Sequence, residues 1–203
     1  MTLARAPLLV SVVCLVSVVA WPLGSRALHA PLQTQMAMRD RYLEHVQPAL
    51  FVQRYYPRST VVVNDIGAMS YFGECRVLDM YGLASMEPLR CRLRRAGYGE
   101  DDVRKWVARE GAEIAILQIE WVEVQPRIPT EWVKVAEWRV PRNVVFGDTR
   151  IGFFATDAAA AKTLASRMSA FAAVLPKDIE LTMTDCLDWP GALSEPTRQP
   201  ARP

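Results

Sequence analysis

The sequence is poor in the residues and spacings that carry most recognisable chemistry. It has two histidines, His29 and His45, and no GxSxG stretch, which excludes a Ser–His–Asp hydrolase of the usual kind. Its four cysteines, Cys14, Cys75, Cys91 and Cys186, include no CxxC and no histidine pair nearby, so no metal site is expected. Cys75 and Cys91 suit either a disulfide in an oxidising compartment or two buried thiols. Gly67, Gly73 and Gly82 do not reproduce GxGxxG, and no cofactor is expected. Neither sign of charge dominates: 24 basic residues face 22 acidic ones, for a net +2. Without a basic block, nucleic acid is not an expected partner. What the chain does have is apolar matter, 51% of its residues, enough to build a real core.

The apolar residues are unevenly distributed. Residues 8–23, LLVSVVCLVSVVAWPL, carry no charge, and Arg5 and Arg26 flank them. Counted from Ala6, the uncharged run is about 18 residues, the short end of a membrane-spanning helix and long for a signal-peptide core. Residues 1–30 therefore read as a membrane anchor. A signal segment cleaved after Ala27 and a buried core helix are the alternatives. Residues 31–57 read as an amphipathic helical stalk, with Met36, Tyr42, Leu43, Val46, Leu50 and Phe51 at helical spacing and Pro48 dividing it. The globular domain spans 58–188, and the proline-rich 189–203 reads as a disordered tail.

Within the globular part, β-branched Thr60–Val63 reads as a short buried strand. A helical turn or two follows from Ile66, and a second strand begins at Arg76 and ends at Asp79. Helical patterns follow over 85–95 and 101–109, with Gly111 as a C-terminal glycine. EIAILQIEWV (113–122), VKVAEWRV (133–140) and IGFFA (151–155) read as strands, and 158–171 as a helix capped by Asp157. This order predicts an α/β domain: a mixed sheet of about five strands with flanking helices, preceded by one membrane helix and the stalk.

Asp65 and Asp79 each end a strand, where α/β sheets gather ligand sites. Two carboxylates there suit an acid–base pair or sugar binding, yet an aspartate between strand and helix is also an ordinary cap. Asn64 suits a ligand hydroxyl or an Asx turn. Tyr71 and Trp121 suit carbohydrate binding or plain packing. Gly67 and Gly82 read as turn glycines. Arg90, Arg92, Arg94 and Arg95 suit an anionic head group or a solvated helix face.

NDIGAMSYF, VLDMYGLAS and GAEIAIL together resemble the C-terminal soluble domain of bacterial multi-spanning glycosyltransferases. These are the polyprenyl-phosphate-sugar-dependent enzymes related to protein mannosyltransferases and arabinofuranosyltransferases. The D-x-G…Y…D-x-x-G-L pattern falls on Asp65, Gly67, Tyr71, Asp79, Gly82 and Leu83, and the likeness covers about residues 8–157. It implies a domain outside the cytoplasm serving glycosyl transfer in envelope assembly, and the one apolar run of this chain makes it single-pass in the cytoplasmic membrane. It also implies a multi-spanning membrane partner and a glycan or lipid-linked sugar as ligand. The family's catalytic acids lie in loops between membrane helices that this chain lacks, so no residue here is expected to be catalytic. A self-contained carbohydrate-active enzyme using Asp65 and Asp79, or a structural domain without a ligand, are the competing expectations.

Overall fold

The computed structural model describes residues 5–94, 97–119, 127–141, 143–144 and 150–184. The chain forms two units that divide between Arg39 and Asp40. The first is most of one helix, α1 (Arg5–Arg41). Its segment Val10–Pro31, 22 residues, is long and apolar enough to cross a membrane, about 33 Å at 1.5 Å per residue. Val13, Leu15, Trp21 and Leu28 are exposed along it, which a helix in a soluble core would not permit.

The second unit begins with a π-helical turn, Tyr42–Val46, in which the Gln47 N–H reaches back to the Tyr42 carbonyl. Widening the helix here accommodates Pro48, which has no N–H to donate and would crowd a regular turn. Helix α2 (Gln47–Tyr55) follows. The segment expected to be a stalk therefore divides: from Asp40 onward it belongs to the globular unit. Leu43, Ala49, Phe51 and Val52 are core residues. Tyr42 and Met36, also expected on the apolar stripe, are exposed.

The body is a three-layer α/β sandwich. After α2 come β1 (Thr60–Val63), α3 (Gly67–Phe72), β2 (Arg76–Asp79), α4 (Met86–Leu93), α5 (Glu100–Glu110), β3 (Ile114–Gln118), β4 (Val133–Arg139), β5 (Arg150–Ala155), α6 (Ala158–Ala172) and β6 (Glu180–Met183). The six strands run in the order β2-β1-β3-β5-β4-β6. β1 pairs with β2 and β3 in parallel, and the remaining pairings are antiparallel. The sheet is mixed as expected, with one strand more than the five anticipated. The addition, β6, is a mostly exposed edge strand held by its pairing to β4, so it lacks the apolar alternation that betrays a strand in a sequence.

Period-two alternation sends side chains to both faces. Val61, Val63, Ile114, Ile116 and Phe153 join α2, α3 and α6 in one core. Val62, Leu78, Ala115, Leu117 and Phe154 join α4 and α5 in the other, with Trp106. Cys75 packs against the first core and Cys91 lies in the second. Both are free thiols, so the disulfide alternative is not realised. Gly111, in the left-handed region at φ 63°, ends α5, and Asp157 caps α6 by accepting the Ala160 N–H at 2.8 Å, as expected.

Phe51 anchors the first core. It is fully buried and meets Phe153 and Phe171 edge-on at 5.7 and 5.4 Å. Phe51→Ala should lower unfolding stability by about 3–5 kcal/mol, measured by denaturant titration. A true stalk residue would cost far less.

Candidate functional site

Asp79 closes β2 and is 1% exposed. Its Oδ1 accepts the N–H groups of Tyr81 and Gly82 at 2.8 and 2.9 Å, and its Oδ2 those of Ala84 and Ser85 at 2.7 and 3.3 Å. Consecutive amides converging in this way form an anion nest, here filled by the protein's own carboxylate. Gly82 is obligatory for two reasons. Its φ is +83°, and a Cβ there would sit 2.5 Å from the Leu89 backbone nitrogen. Tyr98 donates its hydroxyl to the Met80 carbonyl, and burial pushes that phenol up and keeps it a donor. Arg92 donates to the Tyr81 carbonyl at 3.0 Å and lies 4.1 Å above the Tyr81 ring. D-x-x-G-L is thus a loop-building unit, and both lone-pair faces of Asp79 are taken.

Asp65 sits at the end of β1. Its Oδ1 accepts the Gly67 N–H at 3.0 Å in an Asx turn leading into α3. Its Oδ2 faces His45 Nδ1 at 3.6 Å. Asn64, also buried, is committed to the backbone: its Nδ2 donates to the Gln118 carbonyl at 3.1 Å and its Oδ1 accepts the Gln118 N–H at 3.0 Å. That amide extends the β1–β3 ladder by one rung and commits one donor and one acceptor of the side chain to structure.

These residues line a small cleft with Glu44, Met69 and the Gln118 side chain. Its cavity of about 30 Å³ holds roughly one water molecule. His45 Nε2 has Arg41 Nη1 at 3.2 Å and Gln118 Nε2 at 3.5 Å. Both neighbours are donors, so Nε2 is the acceptor and Nδ1 carries the proton toward Asp65. Burial lowers the His45 pKa below its ordinary 6.5, the Asp65 charge works against this, and Arg41 adds to the lowering. Gln118, 5% exposed, leaves its Oε1 without a hydrogen-bond partner. The cleft therefore presents acceptors to whatever enters it.

Of the residues singled out in the sequence, the fold brings Asn64 and Asp65 together and assigns Asp79 to its own loop. Tyr71 is 80% exposed, edge-on to Phe72 at 4.7 Å, and takes no part in the cleft. Leu83 is exposed as well. Trp121 lies outside the described residues. His45 is the residue that sequence reasoning set aside, because it falls before the globular boundary. No local pattern marks it; only the π-turn and the packing of α2 bring it to Asp65. Among the described residues no group of three or more His, Cys, Asp or Glu side chains is placed to hold a metal.

Fold and site define the class: a mixed-sheet α/β domain preceded by one helix long and apolar enough to span a membrane. Residues 30–159 match the family described as "Domain of unknown function (DUF8728)", and the chain belongs to that family. No curated protein and no solved structure matches it.

Asp79→Asn places an NH₂ group against backbone donors and should cost on the order of 2–5 kcal/mol, whereas Asp65→Ala, which loses one turn bond and the facing contact with His45, should cost about 0.5–2 kcal/mol. Thermal or denaturant unfolding compares them. His45 should also make stability depend on pH. Its pKa is lower folded than unfolded, so the unfolded chain binds more protons as pH drops below about 6.5. Stability is full above that value and declines below it, levelling off once the folded histidine is itself protonated. In His45→Gln the melting temperature should fall less steeply between pH 7 and 5.

Proposed function

We propose that the protein is a membrane-anchored domain outside the cytoplasm that serves glycosyl transfer in bacterial envelope assembly and is not catalytic alone. The observation that carries this reading is the exposed apolar segment Val10–Pro31 on a chain whose folded domain commits its best-placed carboxylate to structure. A buried Asp79 with four amide donors has no lone pair free for acid–base work. The resemblance of the D-x-G…Y…D-x-x-G-L pattern to the soluble tails of lipid-linked-sugar glycosyltransferases supplies the chemistry. Such a tail recognises a glycan or lipid-linked sugar, or docks on the multi-spanning enzyme that handles it. Among the described residues singled out from the sequence, the exposed Tyr71 is the side chain offered to that ligand.

The second reading, a carbohydrate-active enzyme in its own right, has the His45–Asp65 pair in its favour. The size of the cleft weighs against it, since a space for about one water does not admit a sugar ring.

Topology decides the first point. A phosphatase fused after the folded domain should be active and a fluorescent protein in the same place dark. The reverse pattern, putting residues 31–203 in the cytoplasm, sinks the proposal. Cross-linking in native membranes should then recover a multi-spanning protein, and deletion of the chain should reduce glycan incorporation into the envelope.

A further inference from the structure

We propose that the outward face of α4 rests on an anionic phospholipid surface, a second membrane contact that rests on the reading of Val10–Pro31 as an anchor. Helical spacing sorts α4 into two faces. Pro88 and Cys91 are buried, and Cys91 packs in the second core. Met86, Arg90 and Leu93, at i, i+4 and i+7, form the opposite stripe, with Leu83 just ahead of the helix and Arg94 just after it. Leu83, Met86 and Leu93 are 58%, 59% and 75% exposed. Leu83 ahead of the helix and Met86 and Leu93 on its outward stripe put three large exposed apolar side chains within eleven positions, a cluster rather than the single scattered residues of an ordinary wet surface.

The charges on this face complete the pattern. Among the described residues Arg90 and Arg94 have no acidic partner, and the nearby Glu87 is paired with Arg109 at 2.8 Å. Arg92 is folded back over the Tyr81 ring and belongs to the Asp79 loop. The outward face therefore combines apolar side chains with two uncompensated guanidinium groups. That combination is the signature of an element lying in a head-group region, where apolar side chains enter the acyl boundary and arginines reach lipid phosphates. The chain also supplies proximity. Residues 32–39, between the apolar segment and the folded unit, reach at most ~28 Å even fully extended. A surface held so close has a high effective concentration, so a weak contact suffices.

The test uses the full chain in lipid nanodiscs, comparing phosphatidylcholine alone with a phosphatidylcholine–phosphatidylglycerol mixture. Hydrogen–deuterium exchange over residues 83–94 is the readout. Exchange should slow in the anionic discs and return toward the zwitterionic rate in high salt. Neutralising each arginine should weaken docking about fivefold. Arg90→Gln with Arg94→Gln should therefore weaken it about 25-fold, with the melting temperature unchanged. Equal exchange in the two lipids overturns the proposal, as does protection that grows with protein concentration, which a second copy on this face would give. Failure of the chain to enter either disc overturns the anchor reading instead. Retention in both discs with no lipid-dependent protection leaves the anchor standing and removes only α4.

Discussion

Parallel pairing on both sides of β1 is the constraint from which the rest of the domain follows. A hairpin cannot join parallel strands, so each connection must leave the sheet, cross one face and return. The passage from β1 to β2 crosses by α3 on one face; the passage from β2 to β3 runs the opposite way along the sheet by α4 and α5 on the other. Opposite directions on opposite faces give both crossovers the same hand, as sheet twist requires. Both faces of β1 are thereby covered, which is why TVVV can be apolar without alternation.

The same constraint brings the ends of β1, β2 and β3 to one edge of the sheet, where Asp65, Asp79 and Gln118 collect. Adjacent strands whose chains depart to opposite faces open a crevice that many α/β proteins use for ligands. Here the β2 side of that crevice is filled from within by Asp79, and the β1–β3 side is bridged by Asn64. What stays open is the small cleft between β1 and the π-turn, and its character comes from His45. The parts of the molecule best equipped to meet a partner are outward ones: the apolar segment of α1, the exposed Tyr71, and the α4 face.

The elements that bury an apolar face were legible as sequence. β1 and the helix after Asp157 lie where alternation, β-branching and capping put them, and the strands at 133 and 151 differ from expectation by a residue at an end. The strand order of the antiparallel half was not legible, since nothing local states that β5 inserts between β3 and β4. β6 was hidden because its partner, not its own side chains, makes it a strand. The stalk was misjudged in its second half because a π-turn breaks the phase of a helical pattern and leaves no compositional trace. At the site, the spacing Asp79-x-x-Gly82 gave the correct impression of a turn. Only coordinates reveal that all four donors around that carboxylate are amides of its own loop. His45 was invisible for the same reason as β6: its significance lies in a neighbour twenty positions away.

Asn64 also bears on how the parallel half is tied together. Its two bonds to Gln118 bridge 54 positions of sequence, so they fasten both ends of the longest loop that the parallel half closes. The last backbone partners of the two strands are Val63 and Ile116, and the Asn64 amide takes hold just beyond them. The side chain therefore acts as a clasp at the point where the ladder would otherwise begin to part.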